Sequence, residues 1–182
     1  MERRNFYILV AAIMVGLSVF WLTIYAFISL DIDIFQDPNV ISLKGSGLEN
    51  EIALSLNDLK SEKYLQVVNK QFEIENRVHN KYNKTYSGVS LWSILEMENL
   101  LIKEVSLLTF RFVGRDGYTS PTALNLSITQ NNPEKVIIVY EEDGVPLFGD
   151  GPLRSVIDQS VMPSGEYSSQ YSVQQLASVQ II

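Results

Sequence analysis

Val136-Ile137-Ile138-Val139-Tyr140-Glu141, followed by Glu142-Asp143-Gly144-Val145-Pro146-Leu147, is the stretch on which the fold turns. Four consecutive β-branched residues followed by an aromatic one read as a strand. Asp143-Gly144 is the residue pair that a tight turn with positive φ requires, so the chain reverses there. Further runs rich in β-branched and aromatic residues lie at 40–43, 51–54, 65–74, 106–113 and 178–182, and each predicts a strand. Within 65–74 the residues Leu65, Val67, Phe72 and Ile74 alternate with a break near Asn69, which predicts a half-buried or bulged strand.

Two helices are expected between these strands. Ser55 with Asp58 three residues on predicts a short capped helix, because the hydroxyl accepts from a free first-turn amide. Leu91, Ile94 and Leu95 fall at helical spacing behind Ser90 in capping position, so residues 90–99 predict a helix with one apolar face on the sheet. Strands outnumber helices and alternate with them irregularly. The expected class is α+β with a mixed β-sheet, not a doubly wound parallel fold.

The chain has 182 residues, no Cys, one His and a net charge of −7. Without Cys there is no disulfide, thiolate nucleophile, zinc thiolate site or iron–sulfur cluster. With His79 alone, no two-histidine metal motif can form. The acidic balance gives no footprint for nucleic acid, which needs a concentrated basic face.

Residues 6–30 carry no ionisable group except the phenols of Tyr7 and Tyr25. As a helix this run would reach roughly 37 Å, enough to cross a hydrocarbon core of about 30 Å. It exceeds the apolar region of a cleaved signal peptide and lacks a small-x-small cleavage site; it also lacks the polar stripe of a buried core helix. Arg3 and Arg4 precede it and Asp31, Asp33 and Asp37 follow it, which places the N-terminus in the cytoplasm and the rest outside. The expected organisation is a transmembrane anchor over 1–30, a linker over 31–39 and one folded domain over 40–182. Residues 31–182 keep 12 of the 14 basic and 20 of the 21 acidic side chains, a net charge of −8. In an exported domain the triplets at Asn83 and Asn125 are candidate glycosylation sites.

Chemistry-bearing residues are sparse. His79 lies between Arg77 and Lys81 with no nucleophile elbow anywhere, so it reads as an exposed loop residue. Asp31, Asp33 and Asp37 lack the glycine and terminal Glu of a calcium loop and read as solvated charge. Glu141, Glu142, Asp143 and Asp150 flank glycine turns and read the same way. The glycine loops themselves say more: Gly114-Arg115-Asp116-Gly117-Tyr118 and Gly149-Asp150-Gly151-Pro152-Leu153-Arg154 would let backbone amides approach a ligand beside an arginine.

Those loops belong to an ordered series. It runs Ile41-Ser42-Leu43-Lys44-Gly45, then residues 54–59, Tyr86-Ser87-Gly88-Val89-Ser90-Leu91-Trp92-Ser93-Ile94-Leu95, residues 113–118, residues 139–147, Gly151-Pro152-Leu153-Arg154 and Tyr171-Ser172-Val173 with the last strand. In this order the series resembles the molybdopterin-binding domain of the sulfite oxidase type, in a short membrane-anchored version, over residues 40–182. The resemblance implies an α+β mixed-sheet fold and a molybdenum pterin, molybdopterin, whose metal is held by a protein cysteine and whose phosphate is gripped by basic residues. Residues 72–85, where that cysteine is expected, contain none, and Gly149 stands where a histidine is expected. Ser87 or Asp116 are the candidates to replace the thiolate. Arg154 matches the family's motif arginine, and the resemblance makes Arg115, Asp116, Gly117, Tyr118, Gly151 and Arg154 the candidate cofactor-binding set, with no metal ligand.

The expected function is a membrane-anchored extracytoplasmic domain without the thiolate-bound metal, acting as a binding or accessory module for a small anionic ligand or a protein partner. An oxidoreductase component exchanging electrons with a membrane partner is the alternative, and a structural extracellular interaction domain is the other.

Overall fold

The computed structural model describes residues 3–29, 37–148 and 151–182, with side chains of the first helix at Tyr7 and 12–25. Asp31, Asp33, Gly149 and Asp150 lie outside the described residues, as does the part of the 31–39 linker over 31–36. The chain divides into two units, Met1–Ile34 and Phe35–Ile182.

In the first unit, α1 (Arg3–Ser29) is a helix of 27 residues. Within it Ser18 Oγ donates to the Met14 carbonyl and Thr23 Oγ1 to that of Val19, both at 2.9 Å. Among the described residues no helix is long and apolar enough to cross a membrane. The structure thus does not show the crossing expected from the sequence.

In the second unit the expected single mixed sheet is two sheets. The first joins β1 (Val40–Lys44), β2 (Ile52–Ser55), β5 (Thr109–Gly114), β6 (Leu124–Asn125) and β10 (Leu176–Ile181) in the order β2-β1-β10-β5-β6. It is mixed, because β1 runs parallel to β10 and the other pairs are antiparallel. The second, antiparallel throughout, joins β3 (Gln66–Glu75), β4 (Lys81–Ser90), β7 (Val136–Glu142) and β8 (Val145–Pro146), with β9 (Arg154–Ile157) also on β7.

The apolar run that opens β7 explains the second layer. Val136 and Ile138 face the main core with Leu91, Ile94, Phe110 and Phe112, while Ile137 and Val139 face a smaller cluster with Phe72, Ile74 and Tyr86. A strand buried on both faces needs cover on both. The turn after β7 forms as its residues require, with φ of 51° at Asp143 and 77° at Gly144.

Both expected helices form. In α2 (Leu56–Leu59) Ser55 Oγ accepts from the Asp58 amide at 3.2 Å and Asp58 Oδ2 from the Ser55 amide at 2.8 Å. These Ser55 contacts hold the Asp58 carboxyl below its usual range. In α3 (Leu91–Met97) Ser90 Oγ accepts from the Ser93 amide, and Leu91, Ile94 and Leu95 are fully buried. A fourth short helix, α4, covers Ser127–Asn131. The break expected near Asn69 is a register shift between Val67 and Lys70, with Asn69 at φ 47°. Beyond it, the outer edge of β3 is closed by side chains. The Glu73 amide donates to Asp158 Oδ2 and the Glu75 amide to Ser168 Oγ, both at 3.0 Å, which occupies donors that would otherwise invite another strand.

Candidate functional site

The first glycine loop is a self-closed turn. The Gly114 amide donates to the Tyr118 carbonyl at 2.8 Å, the Tyr118 amide to Asp116 Oδ1 at 2.9 Å, and Gly117 takes φ 82°. Asp116 therefore shapes its own loop. Tyr118 Oη donates to the Gln170 carbonyl at 2.9 Å, and burial, with the Tyr167 and Asp116 charges, raises its phenol above the ordinary range. Arg115 is only 8% exposed, and its Nη2 donates to the carbonyls of Asp37 and Val40, both at 2.7 Å.

The second loop comes to the same stretch of chain. The Arg115 amide donates to the Gln175 carbonyl at 2.9 Å and the Leu176 amide to that of Leu153 at 3.0 Å. Gly151, at φ 87°, packs so closely that a Cβ there would lie 3.0 Å from Gln175 Cα. The structure thus gathers both loops on one segment, yet they open on different depressions. A cavity of about 200 Å³ is lined by Asp116, Tyr118, Ser172, Val173 and Gln174. A larger cleft of about 440 Å³ has Gly151 in its wall beside Leu56, Lys60, Tyr140, Leu147 and Phe148. Neither arginine lines either of them.

Arg154, at the start of β9, donates from Nη1 to Glu142 Oε2 at 2.6 Å. Lys84 Nζ donates to the other oxygen, Oε1. Side-chain exposure of 13% for Arg154 and 17% for Glu142 makes this a half-dry contact. Behind it lies the buried Tyr86 phenol; burial first and the Glu142 charge second push it far above its ordinary value, with Arg154 opposing.

The other candidates resolve simply. His79, with its side chain 77% exposed and φ 60°, meets Glu75 Oε1 through Nδ1 at 2.6 Å in the turn between β3 and β4. Ser87 Oγ accepts from the Asn69 amide at 3.2 Å and fills the bulge. Asp143 Oδ1 accepts from the Thr85 amide at 3.1 Å, so it pins its turn to β4. Among the described residues no group of three His, Asp or Glu could hold a metal ion.

Sequence reading passed over Lys60, Tyr140, Leu147 and Phe148 as a cleft, and Lys84 as a partner of Glu142. Lys60 Nζ lies 4.6 Å from the Tyr140 ring centroid, a cation over an aromatic face. Tyr140 Oη donates to Gln66 Oε1 at 3.1 Å, and Phe148 is 76% exposed. The signal available was the Val145-Pro146-Leu147-Phe148 run after a turn, apolar where a surface loop is ordinarily polar.

No family model and no curated protein matches the sequence. Among solved structures the chain is similar to the sulfane dehydrogenase SoxCD from Paracoccus pantotrophus, with a TM-score of 0.55 and 13% identity over 81% of this chain and 39% of that one. This likeness shows a related two-sheet α+β fold. The chain spans well under half the length of that relative.

A thiolate-bound molybdenum pterin does not fit the residues present. The chain has no Cys to supply the soft ligand. Arg115 is held on two backbone carbonyls and Arg154 on a carboxylate, so the basic groups expected to grip a phosphate already have internal partners.

Proposed function

We propose that the protein is a membrane-anchored extracytoplasmic binding module on a fold related to a molybdopterin oxidoreductase domain, working without thiolate-held metal. Its ligand is a small molecule with an apolar body and one anionic group. The observation that carries this reading is the cleft of about 440 Å³, walled by Leu56, Tyr140, Leu147 and Phe148, with the Lys60 ammonium at the Tyr140 face. Apolar walls with one or two fixed polar groups are the usual makeup of a small-molecule site. The anchor rests on the uncharged run over 6–30.

An anilinonaphthalene sulfonate dye, an apolar body with one anionic group, tests the cleft on the full chain in detergent. Saturable fluorescence is expected, weakened at least tenfold by Leu147→Asp and several-fold by Lys60→Met. Unchanged binding in both variants defeats the reading. Molybdenum and pterin analysis of the same preparation, from a host that makes the cofactor, should find neither. Stoichiometric molybdenum would move the protein to the oxidoreductase reading, which the fold likeness favours. Release of the chain from membranes by alkaline carbonate would refute the anchor.

A further inference from the structure

The cleft of about 440 Å³ does not end at Leu56. Leu56 and Asn39, which stand in its wall, also line a second depression of about 270 Å³ with Asp37, Ser55 and Asn57. The backbone makes the junction, because the Leu56 amide donates to the Asn39 carbonyl at 2.6 Å where α2 leaves β2 beside the start of β1. The two hollows form one groove with ends of opposite charge. At the apolar end the Lys60 ammonium lies over the Tyr140 ring and has no carboxylate partner among the described residues. At the polar end Asp37 Oδ1 accepts from the Asn39 amide and from Asn39 Nδ2, both at 2.9 Å, which leaves Oδ2 without a hydrogen bond. These bonds, with a smaller contribution from the Arg115 charge, hold the Asp37 carboxyl below its usual range, so it is ionised at neutral pH. The Asn57 carboxamide beside it has no hydrogen-bond partner among the described residues.

We infer that the groove takes a short apolar peptide with free ends, its α-carboxylate on Lys60, its side chains on Tyr140, Leu147 and Phe148, and its α-ammonium on Asp37 and Asn57. The inference rests on the cleft being the ligand site and names the class of ligand. An amphiphile with an anionic head alone uses Lys60 and the apolar walls and leaves the Asp37 carboxylate unused; a molecule with a positive end as well meets both. A minimum length follows from α2. Lys60, its C-cap, lies about 6 Å along the axis from Leu56, and Asp37 lies two residues beyond the Asn39 contact. One extended residue spans at most about 3.6 Å, so a free amino acid does not reach both charges and two or more linked residues are needed. Peptide bonds also suit the middle of the groove, where Asn39 keeps its carboxamide oxygen as an acceptor. The ordinary alternative for Asp37 is a turn former that only holds the Asn39 amide; it predicts that a positive end on the ligand adds no affinity.

Equilibrium dialysis of the full chain in detergent against radiolabelled trileucine, its N-acetyl form and its C-terminal amide separates the two. Trileucine should bind saturably, and acetylation or amidation should each weaken it by about threefold or more. Asp37→Asn should weaken trileucine to the same degree and leave the N-acetyl form unchanged, while Lys60→Met should weaken trileucine and leave the amide unchanged. The blocked peptides need no variant, so the test stands even if Asp37→Asn does not fold. No saturable binding of trileucine overturns the inference, as does a smaller loss on acetylation or amidation, or an Asp37→Asn loss that is equal for the free and acetylated peptides. The anilinonaphthalene sulfonate dye carries no ammonium, so its binding should survive Asp37→Asn. Dye bound with trileucine unbound defeats the peptide class and keeps the cleft as a site, whereas failure of both defeats the cleft reading as well.

Discussion

Arg115 and Arg154 occupy comparable places in two glycine loops that lean on the same Gln175 segment, yet their guanidinium groups hold different partners. Arg115 donates to the carbonyls of Asp37 and Val40, and its charge adds to the hydrogen bonds from Asn39 that hold the Asp37 carboxyl below its usual range. Arg154 donates to Glu142, which also takes Lys84. The first contact fastens residues 37–40 to the end of β5; the second neutralises a cation between strands. An arginine in a glycine loop is thus no evidence of an anion site until its partners are known.

The contrast breaks most visibly at Arg115. Arg115→Met removes two charge-assisted hydrogen bonds and leaves the carbonyls of exposed Asp37 and half-buried Val40 without that donor. The expected loss is about 2–4 kcal/mol in urea unfolding. Arg115→Lys should recover only part of it, because a single ammonium lacks the planar fork. A loss under about 0.5 kcal/mol would mean that water replaces the guanidinium at no cost, and the fastening role would fall.

At Arg154 the expected effect is smaller and depends on its partner. Arg154→Met leaves Glu142 with Lys84 alone and should cost about 1–2 kcal/mol. Glu142→Gln in the same chain should relieve much of that cost, since it removes the half-buried charge that the first substitution exposed. A double-mutant cycle reads this directly; a coupling energy near zero would show that the contact is too wet to matter.

The two contacts also show what a single sequence reveals. The turn at Asp143-Gly144, the capped helix at Ser55, the helix behind Ser90 and the bulge near Asn69 were all legible, because each depends on neighbours in the chain. Strand β4 was not, since Lys81-Tyr82-Asn83-Lys84 is polar and exposed and gains strand geometry only from pairing with β3. Strand β9 is four residues long and is specified by β7 beside it. For the same reason the partners of these contacts were hidden: Arg115 lies 78 residues from Asp37 and Lys84 58 from Glu142, while Glu142, only 12 residues from Arg154, meets it through the pairing of β7 with β9. Two sheets replaced one because the double-sided burial of β7 does not show whether each face is covered by helices or by more sheet.

A carboxylate that takes a phenol in place of a guanidinium sharpens the contrast further, at the smallest scale. Buried Tyr171 donates from Oη to Glu166 Oε2 at 3.0 Å, and burial followed by this bond pushes its phenol up to about 12. The unfolded phenol titrates near 10. Between these values the folded chain holds a proton that the unfolded chain has released, so the contribution is complete below about pH 10 and is lost as pH rises toward 12. At pH 11 the loss should be on the order of 1 kcal/mol. Tyr171→Phe removes this titration, so the stability difference between wild type and variant should shrink steadily from pH 9.5 to 11.5 in urea midpoints. A difference that stays flat would show that the Tyr171 phenol titrates in the folded chain as it does in the unfolded one, and that the Glu166 bond exerts no hold on its proton.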